Sequence, residues 1–275
     1  MASQPYGICA FCGLYKKMTD EDVIARWIGP LLGRSTAKNH QRGAIHFVPN
    51  SSGSVTPLQV TWRRPGHAAS LKIPHVCADC NNQWMSHLEI KNKAVLSALI
   101  KGQSLILTPF ILRNLVGWVA KTAMMAEFHD PSTVCVPQAH RDHLRLHKVP
   151  PPDGWNIWMA PYEGPQWALK VFRHGLHMPP KRPEDRIPGD MTRNTQQIMI
   201  AVGHVVFYII SSTSEGHTFT LGNERLADFR RIWPMPIGVQ PFPRGRYLTT
   251  RELVRMIDSF NSWAGVPKLH TLDGE

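Results

Sequence analysis

Between Val23 and Ala78 the sequence contains no aspartate or glutamate, although Arg26, Arg34, Lys38, Arg42, Arg63, Arg64 and Lys72 all fall there. A basic stretch with no acids cannot neutralise itself, so it points toward an acidic partner. Cysteine is scarce, 5 in 275 residues. Four of the five form two C-x-x-C pairs, which suits metal ligation in a reducing cytoplasm better than a disulfide framework. Long hydrophobic runs are also missing. The most apolar stretch, around Leu105 to Phe128, is interrupted by Arg113, Asn114 and Lys121 and reads as a core helix, not a membrane span. Met1 to Cys9 is short and polar, without an apolar leader, so secretion is not expected. No P-loop, dinucleotide-binding glycine pattern, nucleophile elbow or H-E-x-x-H occurs, which argues against a nucleotide hydrolase, dehydrogenase, serine hydrolase or zinc protease.

What is present is positive charge: 31 Lys and Arg against 20 Asp and Glu, a net charge of +11. The surplus is weighted toward the cysteine-bearing end. A phosphate backbone selects such a surface, because each Lys or Arg near a phosphate releases condensed counterions and raises affinity whatever the base sequence. Nucleic acid is therefore the expected partner, with Arg26, Arg34, Lys38, Arg42, Trp62, Arg63, Arg64 and Lys72 as candidate contacts. Trp62 beside Arg63 and Arg64 combines an aromatic plane with charge, a mix suited to base stacking. The alternative is a basic solvated face with Trp62 buried.

Local patterns give the elements. Cys9-Ala10-Phe11-Cys12-Gly13 is a knuckle, with glycine where a tight turn needs positive φ. Thr19, with Asp22 at capping-box spacing, predicts a helix opening at Asp20 and running through Val23, Ile24, Trp27, Ile28 and Leu31. Ile45 to Val48 and Leu58 to Trp62 read as a hairpin. A second knuckle, Cys77-Ala78-Asp79-Cys80, leads into a helix with Ser86 and Glu89 again at capping-box spacing. Leu112, Leu115, Val116, Val119 and Ala123 mark an amphipathic helix from about Pro109 to Phe128. Strands are expected at Trp155 to Ala160, Ala168 to Phe172, Thr195 to Ala201 and His204 to Ser211, the last two turning near Gly203. Thr249, Glu252 and the apolar set Leu253, Val254, Ile257 and Phe260 predict a last helix. His140, His143 and His147 share one helical face with Arg141 and Arg145 between them, and a solvated basic helix is the expectation there.

Two C-x-x-C pairs supply the four thiolates of an ordinary structural zinc site, Cys9, Cys12, Cys77 and Cys80. Cys135 is left as a small core residue. A knuckle, a hairpin and a helix leaving the second knuckle are the parts of a treble clef. The fold expectation is α+β: a zinc-stabilised treble-clef module over residues 1–93, then a mixed helix and strand domain over 94–275 whose role the residue types do not define.

The run Cys9 to Cys12, then Thr19-Asp20-Glu21-Asp22-Val23-Ile24-Ala25-Arg26-Trp27, then Val76-Cys77-Ala78-Asp79-Cys80-Asn81-Asn82-Gln83-Trp84-Met85-Ser86-His87-Leu88-Glu89 resembles a bacterial and phage family labelled HNH endonuclease. That family pairs an early C-x-x-C with E-H-V-I-P-x-W and a later C-x-x-C-N-N-G-W-M-S-x-L-E. The similarity extends through Trp118-Val119-Ala120-Lys121-Thr122-Ala123 and Arg231-Ile232-Trp233-Pro234.

The resemblance implies an HNH-like ββα module, DNA rather than RNA as substrate, and hydrolysis of a phosphodiester. In that mechanism a histidine deprotonates water while an acid, asparagine or second histidine holds one divalent ion, Mg²⁺ or Mn²⁺, near the scissile phosphate. Here Glu21-Asp22 stands where the family has Glu-His, and Ala25 replaces the usual proline. A carboxylate with pKa about 4 accepts a proton at pH 7 less readily than an imidazole at about 6.5. Three readings of Asp22 compete: metal ligand, helix cap, or the trace of a lost catalytic site. Glu21, Asp22, His75 and Asn81 form the candidate catalytic set, with His40, His46, His87 and Asn82 as possible substitutes. The competing function is a catalytically inactive zinc protein that occupies nucleic acid or a partner protein, for instance in conflict between phage and bacterium.

Overall fold

The structure is a computed structural model describing residues 5–32, 39–49, 55–65, 72–164, 168–190, 192–221 and 228–263, with backbone alone for 39–49, 55–65 and positions 260, 261 and 263. It is a mixed α+β chain with antiparallel sheets.

The cysteine-bearing end is a three-stranded sheet in the order β1 (Tyr6–Ile8), β2 (Tyr15–Asp22), β5 (Lys72–Cys77). The expected hairpin is present and longer than the apolar runs suggested: β3 (Asn39–Pro49) pairs with β4 (Val55–Pro65), setting Arg42 opposite Trp62 and Gln41 opposite Arg63. The side chains of Arg42, Trp62, Arg63, Arg64, His40 and His46, together with Arg34 and Lys38 entirely, lie outside the described residues.

The helix expected from Thr19 does not form. That stretch is strand β2, and only Arg26–Leu32 turns, as a 3₁₀ segment containing Pro30. Thr19 does not cap a helix; its hydroxyl donates to the Val76 carbonyl at 2.9 Å, across the β2–β5 ladder. Tertiary pairing here overrides a local capping pattern, and Pro30 removes a donor that an α-helix would need. Apolar Val23, Ile24 and Ile28 are still buried, so their spacing reported burial correctly and conformation wrongly.

The second capping box also fails. The helix begins in the knuckle itself, as α1 (Ala78–Cys80), passes through a wide π turn at Asn81–Met85 and continues as α2 (Ser86–Ile100), with Met85 at its N-cap and no side-chain cap.

After the short strand β6 (Leu105–Leu107), helix α3 (Pro109–Ala126) follows the expected bounds closely. Thr108 caps it by accepting from the Ile111 N–H at 3.3 Å, and Pro109 sits in the first turn where its missing donor costs nothing. Then come α4 (Gln138–His147), β7 (Trp155–Pro161), β8 (Leu169–Leu176), β9 (Thr195–Val202), β10 (Val205–Ser212), β11 (Arg230–Trp233), β12 (Gln240–Phe242) and α5 (Thr250–Trp263). The capping box at α5 is as expected: the Glu252 carboxylate accepts from the Thr249 N–H at 2.9 Å, and the Glu252 N–H donates back to Thr249 Oγ1 at 3.3 Å.

Strands 7 to 11 form one sheet in the order β11-β7-β10-β9-β8. Because side chains alternate faces, Ile157, Phe207 and Ile200 join a core with α3, where the Phe207 and Trp118 rings meet edge-on at 6.3 Å. Trp158, Tyr208 and Met199 face the other way, onto Leu253 and Ile257 of α5. The α3-side core is continuous with Cys9, Phe11, Cys77 and Trp84, so one apolar interior joins the cysteine end to the sheet.

The α4 expectation needs one correction. His143 and His147 lie together at 4.3 Å between ring centroids, but Arg141 is buried. Its guanidinium reaches Glu127 at 2.5 Å, and Arg173 of β8 meets the same carboxylate at 3.2 Å. Glu127 also accepts from the N–H groups of Cys135 and Val136 at 2.8 and 3.0 Å. The polar face of α4 is thus partly turned inward, because a buried carboxylate demands partners. Cys135 is buried as expected, and that burial pushes its thiol up to about 11.

Gly117 on α3 lets the chain at Lys148 approach closely: a Cβ there would overlap the Lys148 carbonyl oxygen. Gly117→Ala is therefore expected to destabilise by about 1–3 kcal/mol, read as a lower denaturant midpoint at unchanged slope. An unchanged midpoint would contradict that contact.

Candidate metal centre and the adjoining buried charges

Cys9 and Cys12 lie in a turn closed by two bonds, Cys9 N–H to the Leu14 carbonyl and Gly13 N–H to the Cys9 carbonyl, both 2.9 Å. Gly13 adopts φ 67°, as the knuckle requires. The Ala10 N–H donates to the His75 carbonyl at 2.8 Å, fastening this turn to β5 just before Cys77. Cys77 ends β5 and Cys80 lies in the first helical turn beyond it.

The four sulfurs consequently lie within 4.8 Å of one another. Cys12 and Cys77, 65 positions apart, approach to 3.8 Å between sulfurs, and the Cys77 N–H donates to the Cys9 sulfur at 3.4 Å. Three of the four cysteines are buried. The Cys80 thiol, hydrogen-bonded to Cys9, and backbone N–H groups draw the Cys9 thiol down to about 4, while the same sharing and burial push Cys80 up. The Trp84 indole N–H is buried near Cys80 and makes no hydrogen bond among the described residues. Four thiol ligands from two knuckles can hold a metal ion such as zinc.

The candidate catalytic residues fall in different places. β2 carries a bulge between Thr19 and Glu21. Without it, Met18 and Glu21 would point to opposite faces; with it, both are buried, at 2% and 7% exposure. Glu21 is thereby turned inward onto Lys121 of α3 at 3.4 Å, and Glu89 of α2 meets the same ammonium at 2.8 Å. Lys121 is wholly buried. Burial alone would lower its pKa, but Glu89 and Glu21 outweigh it and hold the ammonium above its ordinary value. Burial raises the Glu21 carboxyl despite Lys121.

Asp22 ends β2 opposite Lys72, with one carboxylate oxygen buried and unpartnered among the described residues. Burial raises its pKa, while Lys72 and exposed Arg26 oppose the rise. Lys72 also approaches Asp20, at 4.0 Å. Asn81 is occupied otherwise, donating to Thr19 Oγ1 at 2.9 Å. His75 turns its ring onto Phe128, stacked at 4.8 Å, and the Arg141 guanidinium covers that same phenyl ring at 4.7 Å. Burial lowers the His75 pKa. The structure thus brings together Glu21, Asp22, Glu89 and Lys121, and ties Asn81 and His75 to other partners. Sequence reasoning passed over Lys121 and read Glu89 as a cap. A lone lysine inside an apolar helix was the available signal, since burying it requires a carboxylate.

Comparison of the chain with protein-family models, with curated proteins and with solved structures gives no match.

Two outcomes are expected. Purified protein binds one zinc or cobalt ion, and Cys80→Ser loses it while Cys135→Ser does not; retention by Cys80→Ser, read from cobalt–thiolate absorption, would contradict the four-sulfur site. Lys121→Met strands two carboxylates and costs about 3–5 kcal/mol, measured by denaturant unfolding. Because the folded pKa of Lys121 is raised, its contribution is complete below the ordinary lysine value of about 10.4 and is lost as pH rises through the higher folded value.

Proposed function

We propose that this chain is an HNH-like protein whose four cysteines hold a structural zinc ion in a treble-clef module, and that it binds nucleic acid without cutting it. The observation carrying this reading is the missing imidazole: Asp22 stands where the family has histidine, and the nearby His75 is stacked on Phe128. A working site of this class needs a divalent ion beside its acids and an imidazole to deprotonate water. Here a buried ammonium is already paired with both Glu21 and Glu89, Asn81 is bonded to Thr19, and His75 is stacked on Phe128. A fixed ammonium satisfies carboxylates without offering the open coordination positions that a metal uses to bind phosphate.

Binding itself is supported by the charge of +11 and the acid-free stretch. It is also supported by an exposed aromatic face. Tyr6 and Tyr15, 64% and 72% exposed, stack on each other at 5.9 Å, and Lys17 stands opposite Tyr6 on the same hairpin. Solvent-facing rings beside cations are suited to unpaired bases.

The second reading is a divalent-dependent endonuclease with an acidic variant site using Mg²⁺ or Mn²⁺. The unpartnered buried oxygen of Asp22 favours it.

Zinc-loaded protein incubated with plasmid, single-stranded DNA and RNA, in Mn²⁺, Mg²⁺ or EDTA, separates the two. Salt-sensitive binding with intact nucleic acid in every lane is the expected result. Divalent-dependent cutting that disappears in Asp22→Ala would establish the second reading instead.

A further inference from the structure

Beside the cysteine cluster, on the side of α2 and the end of α4, the surface is indented by two adjoining hollows of about 360 and 350 Å³ that share Gln83, Trp84 and Lys148. Cys12 and Cys80 border the first. Lys16 and Arg145 line it as well, and Lys91 lines the second. Four cations from three separate parts of the chain therefore converge on one groove. Lys16 comes from β2, Lys91 from α2, Arg145 from α4, and Lys148 from the residue after α4.

The arrangement is built, not incidental. Lys148 adopts a left-handed backbone, φ 61°, as the C-cap of α4, where a non-glycine residue is uncommon. Its ammonium lies over the Trp84 ring at 5.2 Å and donates to the Arg145 carbonyl. The absence of a side chain at Gly117 is what lets this corner pack against α3. The one acid lining the groove, Asp79, is engaged by Lys16, and Arg145 has a half-exposed partner in Asp142 at 3.7 Å. Lys91 and Lys148 make no ion pair among the described residues. Burial, then Arg145 and to a lesser degree Lys91, disfavour the charged form of Lys148, with Cys80 opposing them. Lys91 and Lys148 thus remain without an ion-pair partner among the described residues, and neighbouring like charges of this kind are stabilised by a polyanion that spans them.

We infer that this groove, flanked by the metal knuckle and lined by Lys16, Lys91, Arg145 and Lys148, is where the chain holds the phosphodiester backbone of a nucleic acid. The inference rests on the nucleic-acid-binding reading above and locates its contacts on residues outside the acid-free stretch. The groove supplies backbone contact in place of base readout, since three of its four cations are lysine point charges over an apolar floor formed by Trp84.

The test compares two variants of equal charge change in the full, zinc-loaded chain. Lys91→Glu with Lys148→Asn alters the groove, asparagine being tolerated in the left-handed conformation. Lys181→Glu with Arg230→Asn alters exposed cations outside it. Fluorescently labelled single-stranded and duplex oligonucleotides, and polyglutamate as an acidic-peptide probe, are titrated from low to physiological salt. The groove variant is expected to weaken oligonucleotide binding by roughly tenfold or more and to make the log–log salt dependence shallower by about two. The control stays near the parent, and polyglutamate binds more weakly than the oligonucleotides.

Equal losses in both variants, no loss in the groove variant, or tighter binding of polyglutamate would overturn the groove assignment. Parent protein that binds no oligonucleotide at low salt would overturn the nucleic-acid reading itself. Zinc content and unfolding midpoint confirm folding. If the double variant does not fold, Lys91→Glu alone, at an exposed helical position, must still lower the salt slope by about one.

Discussion

Everything at the cysteine end depends on holding residues 9–12 against residues 77–80. The intervening chain is long, and the two knuckles themselves meet through the sulfurs, the Ala10 to His75 bond and the edge-on Phe11 and Trp84 rings. Closing such a loop costs entropy that a two-stranded contact repays poorly, whereas a metal bound only by the closed form adds its binding free energy to folding. Once the sulfurs are together, β2 must pair with β5. That pairing places the bulge, and the bulge turns Glu21 inward. The same clip starts α1 at Cys77, which aims α2 and so sets one wall of the cationic groove.

Helix α3 shows how the interior tolerates charge. It carries Lys121 in its buried body, and Glu127 follows directly at its end, each almost or wholly inaccessible. Lys121 takes Glu21 and Glu89; Glu127 takes Arg141 and Arg173. Neither ion could be left alone in such a place, since an unpaired buried charge costs several kcal/mol. The partners come from β2, α2, α4 and β8, so the two clusters fix how the cysteine end, the helices and the large sheet sit on α3. Apolar packing alone would permit more than one arrangement.

The sequence made the strongly periodic parts legible. Helix α3, the β9–β10 hairpin with its turn at Gly203 and the Thr249–Glu252 cap are where local pattern places them, because each is decided by neighbours in the chain; the four cysteines, 65 positions apart between Cys12 and Cys77, were legible from their paired spacing instead. Thr19 and Ser86 misled for one reason: a hydroxyl three residues before an acid caps a helix only when the backbone is free to start one there. The β2–β5 ladder claims Thr19, and a helix already running from the knuckle leaves Ser86 in its interior. The bulge at Asp20 leaves no mark in composition, so the inward turn of Glu21 was invisible. Arg141 looked solvated because its partner, Glu127, is a neighbour only in space. The groove cations were missed because they are scattered over three distant segments, whereas the acid-free stretch drew attention by being continuous.

Amide hydrogen exchange, followed with bound zinc and after chelation, tests most directly whether the metal clip organises this end of the molecule. The account predicts that chelation strips protection from β2, β5 and the turn at Asn81–Met85, while the amides of β7, β9 and β10 in the large sheet keep theirs. Unchanged protection across β2 and β5 in the metal-free protein would show that packing alone holds this end and that the four sulfurs do not govern the fold around them.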